Sequence, residues 1–231
     1  MAAPSAPSAP SAPSGPSAPS VPAIALQGSL FDTADEIRLA RPLAEARRTE
    51  LGSGAWIDVL PGWLSGSDPL FEALLTGVPW RAERRHMYDA EVAVPRLLAY
   101  FGEADEPPHP ALAAARDALD AHYAAEPRER FRTLGLCLYR DGRDSVAWHG
   151  DRHGRGAAED TRVAILSLGA PRPLLLRPRG GGPARVRQPL GHGDLLVMGG
   201  SCQRTWDHAI PKTARAVGPR ISVQFRPSGV A

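Results

Sequence analysis

Between Phe131 and Arg226 the chain is a succession of short apolar segments: TLGLCLYR, TRVAILSLG, PLLLRPR, ARVRQPL, DLLVMGG and ISVQFRP. Gly, Pro or Asp closes off each one. Segments this short and this evenly spaced are strands rather than helices, and they pair into an antiparallel sandwich or closed barrel. The expected core is a jelly roll, or double-stranded β-helix. Upstream the pattern changes. AWIDVL at 55–60 predicts a strand, and Ser67-Asp68-Pro69 ahead of LFEALL predicts a helix start with a capping residue. Residues 80–101 alternate and carry β-branched and aromatic side chains, which predicts a hairpin turning near Asp89-Ala90. Leu112, Ala115 and Leu119 share a face at helical spacing, so 110–125 is expected to be a helix. The fold class is therefore α+β, mainly β, with helices and a hairpin ahead of the β core.

Residues 1–26 are a Pro/Ser/Ala-rich stretch that cannot bury enough surface to offset its ordering entropy, so a disordered tail is expected. Residues 27–231 are expected to form one domain, with a first short element at 27–31. A net charge of +2 is too small to imply an electrostatic scaffold wrapped by nucleic acid and leaves room for a local basic groove. Lys212 is the only lysine beside many arginines, so an arginine is a weaker functional marker here than usual. Two cysteines make no disulfide framework, no apolar run is long enough to span a bilayer, and no signal sequence is evident. The expectation is a cytoplasmic, non-membrane protein acting as a monomer.

The chemistry gathers in residues 134–151, LGLCLYRDGRDSVAWHGD. In extended backbone His149 and Asp151 project from one face. A carboxylate with two neutral imidazoles makes the facial triad that holds non-haem Fe(II) and leaves coordination positions open. His153, His192 and His208 are candidates for the second imidazole. His153 would leave the metal poorly enclosed. His192-Gly193-Asp194 repeats the tripeptide but sits in a glycine-bracketed turn, where Asp is common for turn reasons. His208, at the end of the polar loop GGSCQRTWDHAIP, is the favoured partner, with a set involving His192 or no metal at all as the alternatives.

The last strand adds a second constellation. Ile221, Val223 and Phe225 alternate with Arg220, Ser222, Gln224 and Arg226. Two guanidiniums and a hydroxyl facing into a β core would be costly without an anion, and a small dicarboxylate suits an arginine fork. Tyr139 can add a phenolic hydrogen bond. A solvated sheet face is the alternative reading.

LYRDGRDSVAWHGD, PLGHGDLLVMGG, WDHAIP and RISVQFR resemble the AlkB family of Fe(II)- and 2-oxoglutarate-dependent dioxygenases, and MYDAEVAVPRLLAYFG resembles the nucleotide-gripping hairpin of its nucleic-acid demethylases. The resemblance runs from about Ala55 to the C-terminus. It implies His149, Asp151 and His208 as iron ligands, with Arg220, Tyr139 and Ser222 on the distal carboxylate of 2-oxoglutarate. Arg226 is then expected near the 1-carboxylate and the substrate side. It further implies oxidative demethylation of N-alkylated bases in DNA, with RNA as a second candidate, releasing formaldehyde in alkylation repair. Tyr88, Arg96, Tyr100 and His153 are the implied substrate contacts. Two departures bear on this. Cys137 stands where many relatives have Asn, and His153 stands where many have an acid beside the target base. The competing readings are the same chemistry on a tRNA base, a protein or a small molecule, or a silent nucleic-acid-binding module.

Overall fold

The computed structural model describes residues 36–87, 90–124, 130–152 and 154–230. The expected tail at 1–26, the element expected at 27–31, and Tyr88 and His153 lie outside the described residues.

Eight strands form one antiparallel sheet. Four precede the core: β1 (Arg47–Gly52), β2 (Ala55–Leu60), β3 (Arg81–Met87) and β4 (Ala90–Phe101). Then come β5 (Phe131–Tyr139), β6 (Val146–His149), β7 (Val163–Gly169), β8 (Arg172–Pro178) and β9 (Val186–Leu190). The last are β10 (Asp194–Gly200), β11 (Trp206–Ile210) and β12 (Arg220–Pro227). The large sheet runs β1-β2-β10-β7-β12-β5-β4-β3, and a smaller sheet runs β9-β8-β11-β6. This two-sheet arrangement is the jelly roll that the strand spacing predicts.

The centre of the large sheet is buried on both faces, and side-chain alternation divides the core accordingly. Leu134, Leu136 and Leu138 of β5, with Ile221, Val223 and Phe225 of β12, pack under α1 (Ser67–Gly77) and α2 (Pro110–His122). Tyr139, Val163, Ile165, Leu196 and Met198 point the other way and meet Leu174, Leu176, Trp206 and Ile210 of the small sheet. Polar positions of β5 and β12 therefore face the space between the sheets. The helices form a layer on the outside of the large sheet, which leaves the inter-sheet mouth clear.

Three details differ from the sequence expectation. Ser67 does not cap α1: its hydroxyl donates to the Leu64 carbonyl (2.8 Å), and Gly66 in the left-handed region precedes the helix. A side chain at Gly66 would collide with the Glu36 carbonyl, so the position needs glycine. The polar β1, RRTELG, forms an edge strand held by pairing with β2 rather than by its own alternation. Finally, GGSCQRTWDHAIP is not an open loop. Its residues Cys202–Thr205 make a single helical turn, and Trp206–Ile210 form the wholly buried β11. Pairing with β8 and β6 supplies that strand's backbone partners, which sequence periodicity cannot reveal.

Candidate active site

The small sheet carries the two imidazoles. His149 ends β6 and is paired in register with His208 of β11, so sheet formation alone brings the two rings to 4.2 Å between centroids. Asp151 lies two residues past His149. Its Oδ1 is 3.7 Å from His149 Nε2, and one ligand atom from each of His149, Asp151 and His208 falls within 4.8 Å of the others. His149 Nδ1–H donates to the Ala147 carbonyl (2.8 Å), which fixes the tautomer and leaves the Nε2 lone pair for a cation. Burial, with His149 alongside, pushes His208 down to about 3, so its ring is neutral at ordinary pH. Burial also lowers His149. Burial alone would raise Asp151, but Arg226, His208 and His149 hold it well below the usual carboxylate range. Two neutral imidazoles and one ionised carboxylate are the protonation states that a divalent cation requires.

The large sheet supplies the other wall. Arg226 Nε donates to Asp151 Oδ2 at 2.6 Å, which ties β12 to the ligand cluster. Gly135 sits opposite Gln224 in β5, and a side chain there would collide with Arg226 and Gln224. Farther along the same face is Arg220, with only 1% of its surface exposed. Its Nε donates to Ser167 Oγ (3.0 Å), and its Nη1 is buried without a hydrogen-bond partner. Its guanidinium stands 5.3 Å from the centre of the Tyr139 ring. Burial, reinforced by Cys137, raises the Tyr139 phenol well above its ordinary value, so it is a neutral hydrogen-bond donor. Ser222 Oγ, between the arginines on this face, accepts from Gln224 Nε2 (2.8 Å). An unpartnered buried guanidinium N–H beside a phenol and a hydroxyl suits a carboxylate.

His149, Asp151 and His208 thus lie together, and Tyr139, Arg220, Ser222 and Arg226 share one face of β5 and β12, tied to the cluster through Arg226 and Asp151. Arg96 and Tyr100 lie four residues apart on β4 and share a strand face. Arg96 is half-buried, and its Nη1 donates to the Ser145 carbonyl (3.1 Å). Its charge acts on both His149 and Tyr139. Tyr100 pairs in register with Gly135, and 66% of its surface is exposed, the only large apolar side chain so placed among the described residues.

Four contributors were not singled out from sequence. Gln203 Oε1 accepts from the Asp151 backbone N–H (2.9 Å). Arg152 Nη1 meets Asp207 Oδ1 at 2.9 Å, joining the residue after one ligand to the residue before another. Ser167 supports Arg220, and its hint was a lone hydroxyl inside the apolar run VAILSLG. Gln203 and Asp207 gave no such hint, because their segment resembled a loop.

The repeated tripeptide takes no part. His192 Nδ1 accepts from the Gly169 N–H (2.6 Å), and its Nε2 lies 3.1 Å from Asp68 Oδ1. Asp194 accepts from the Gly62 and Gly191 N–H groups (2.8 and 2.7 Å). It is a structural turn. No helix among the described residues is long and apolar enough to cross a membrane.

Comparison with known proteins agrees with this geometry. Residues 59–226 match the family model described as the 2OG-Fe(II) oxygenase superfamily. The cattle protein named alpha-ketoglutarate-dependent dioxygenase alkB homolog 3 is 33% identical over 187 residues, which cover 72% of this chain and 64% of that protein. The Arabidopsis thaliana protein named DNA oxidative demethylase ALKBH2 is 28% identical over 226 residues, which cover 79% and 70%. The chain thus spans just under two thirds of the length of alkB homolog 3. Among solved structures, that of OsALKBH1 superposes with a TM-score of 0.54 at 14% identity, covering 78% of this chain and all of that one. A Trichoplax adhaerens prolyl hydroxylase gives 0.53 at 12% identity, covering 74% and 83%. At these identities the structural matches speak to the fold alone. With the motif order, the site geometry and the family model in agreement, the chain belongs to the AlkB family of the 2OG-Fe(II) oxygenase superfamily.

Proposed function

We propose that this protein is an Fe(II)- and 2-oxoglutarate-dependent dioxygenase that demethylates N-alkylated bases in DNA, acting as a cytoplasmic monomer, with RNA as a second substrate. One observation carries the reading: the buried, unpartnered Nη1 of Arg220 shares the inter-sheet space with the His149/Asp151/His208 cluster. A metal triad alone would suit many oxygen or hydrolytic chemistries. A triad with an anion cradle beside it suits a metal that shares its site with a keto-acid.

His149, Asp151 and His208 would hold the iron, which with 2-oxoglutarate and oxygen supplies the oxidising power to hydroxylate a C–H bond. The chain's own residues do the positioning. Arg220 receives the distal carboxylate, with the Tyr139 phenol and the Ser222 hydroxyl completing its hydrogen bonds. Arg226 holds Asp151 ionised and marks the end of the cradle nearest the substrate. Arg96 and Tyr100, on one face of β4, would meet the substrate, the cation on a phosphate and the exposed ring stacked on a base taken from the duplex. A methyl group hydroxylated on a base nitrogen leaves as formaldehyde, so the chain need supply no further catalyst for release. DNA as substrate is supported by the name that the Arabidopsis thaliana relative carries.

The test is formation of succinate and formaldehyde on single- and double-stranded oligonucleotides carrying 1-methyladenine or 3-methylcytosine. Methyl-dependent formation of both supports the proposal. Succinate formed equally on unmodified and methylated strands, with no formaldehyde, would move the substrate away from alkylated nucleic acid.

A further inference from the structure

Along 133–139 of β5 every residue is buried except Cys137, which is half-buried. Solvent therefore reaches a thiol in the middle of a strand covered on both faces, and the opening is the inter-sheet cradle. Cys137 is paired in register with Ser222, and Gly135 and Tyr139 flank it on the same face. Its Sγ lies 3.7 Å from Gln224 Oε1. In that register it lies between the pairs that carry the two arginines, Arg220 opposite Tyr139 and Arg226 opposite Thr133. The buried, unpartnered Nη1 of Arg220 marks the same space as one that wants an anion. Reachable thiols in electropositive surroundings are the ones that oxidise readily. The other cysteine, Cys202, is buried with 2% exposure, and burial with Asp151 nearby pushes its thiol up to about 12.

We infer that Cys137 is an oxidisable thiol in the floor of the keto-acid cradle, converted by hydrogen peroxide to a sulfenic acid that excludes the dicarboxylate. The Cys137 sulfur attacks one peroxide oxygen, an S–O bond forms and the O–O bond breaks. The departing hydroxide takes the thiol proton and leaves as water. Sulfur loses two electrons and peroxide gains them. The added oxygen lies among the groups that would otherwise bind a carboxylate, so occupied and oxidised cradles exclude each other. A thiol reductant reverses the step by attacking sulfur, releasing water and ending as its own disulfide. The inference rests on the cradle assignment proposed above, and it makes the enzyme's access to its co-substrate sensitive to peroxide.

The experiment uses the full chain loaded with Mn(II), which binds without turnover. It is treated with hydrogen peroxide with and without N-oxalylglycine, a 2-oxoglutarate isostere used because peroxide decarboxylates the keto-acid itself. It is then trapped with dimedone and mapped by peptide mass, and peroxide is removed before any 2-oxoglutarate is added. The expected result is a dimedone adduct at Cys137 and none at Cys202, formed at least about tenfold more slowly when N-oxalylglycine saturates the protein. Calorimetric affinity for 2-oxoglutarate should fall at least about tenfold after peroxide and return with dithiothreitol. Mn(II) affinity should not change. In Cys137→Ser, peroxide should leave that variant's own 2-oxoglutarate affinity where it was. If untreated protein binds 2-oxoglutarate but Cys137 is labelled no faster than Cys202, or equally fast with N-oxalylglycine present, the thiol assignment is wrong and the cradle stands. If untreated protein does not bind 2-oxoglutarate at all, the cradle assignment falls and takes this one with it.

Discussion

The chain spells His-Gly-Asp twice, and the two copies have opposite fates. At 149–151 the imidazole keeps a free Nε2, the carboxylate meets a half-buried arginine, and a second imidazole stands 4.2 Å from the first. At 192–194 the imidazole accepts a backbone N–H and approaches Asp68, while the carboxylate stitches a turn by accepting from Gly62 and Gly191. The same three residues hold a metal-ligand cluster in one place and a hydrogen-bonded turn between strands in the other. The difference lies in what the fold brings opposite them. β11 places His208 against the first copy, and nothing comparable meets the second among the described residues.

Substitutions can break or sharpen this contrast. The largest effect is expected from Asp151→Ala, which should reduce Mn(II) binding measured by calorimetry below detection and abolish succinate formation. Retained metal binding would show that the first tripeptide is not the site. Arg226→Ala should come next, because it leaves the Asp151 carboxylate buried and unpaired. The metal-free protein should lose about 3 kcal/mol in urea unfolding, and Mn(II) should restore part of that by standing in for the guanidinium.

A pH scan of the metal-free protein separates the copies in another way. His208 is held neutral down to about 3, whereas its ordinary value is 6.5. Between those values the unfolded chain binds the proton and the folded chain does not, so stability is complete above 6.5 and declines as the pH falls towards 3. In His208→Ala the stability curve across that window should be flatter. Asp207→Asn should act on the first copy alone. Loss of its ion pairs with Arg152 and Arg177 should weaken Mn(II) binding by about tenfold, and Mn(II) affinity is the readout that ties the effect to this copy. The smallest effect is expected at the second copy. Asp194→Ala removes two hydrogen bonds to backbone N–H groups and should cost about 1–2 kcal/mol in unfolding while leaving Mn(II) affinity unaltered.

Much of the site was legible because it lies on strands whose two-residue period shows directly in the residues. Arg220, Ser222, Gln224 and Arg226 against Ile221, Val223 and Phe225 divide into two faces on residue order alone, and the core follows the same division. Tyr139 followed from the same rule on β5. β11 was not legible, because WDHAI is short, mixed in polarity and buried throughout, so no alternation betrays it. The Arg152–Asp207 pair and Gln203 were hidden for the same reason. Each joins segments more than fifty residues apart, and no local pattern encodes that.

By itself the amino-acid sequence determined the strand-rich class, the alternation that turns arginines towards one layer, and the residue types able to hold a metal and a dicarboxylate. These are local properties of backbone period and side-chain chemistry. Only the tertiary structure decided which of the two His-Gly-Asp copies meets another imidazole, where Arg226 finds its carboxylate, and that Arg220 retains a buried nitrogen without a partner. Those outcomes depend on strand pairing across long stretches of chain, and desolvation then sets how strongly each group demands its counterpart.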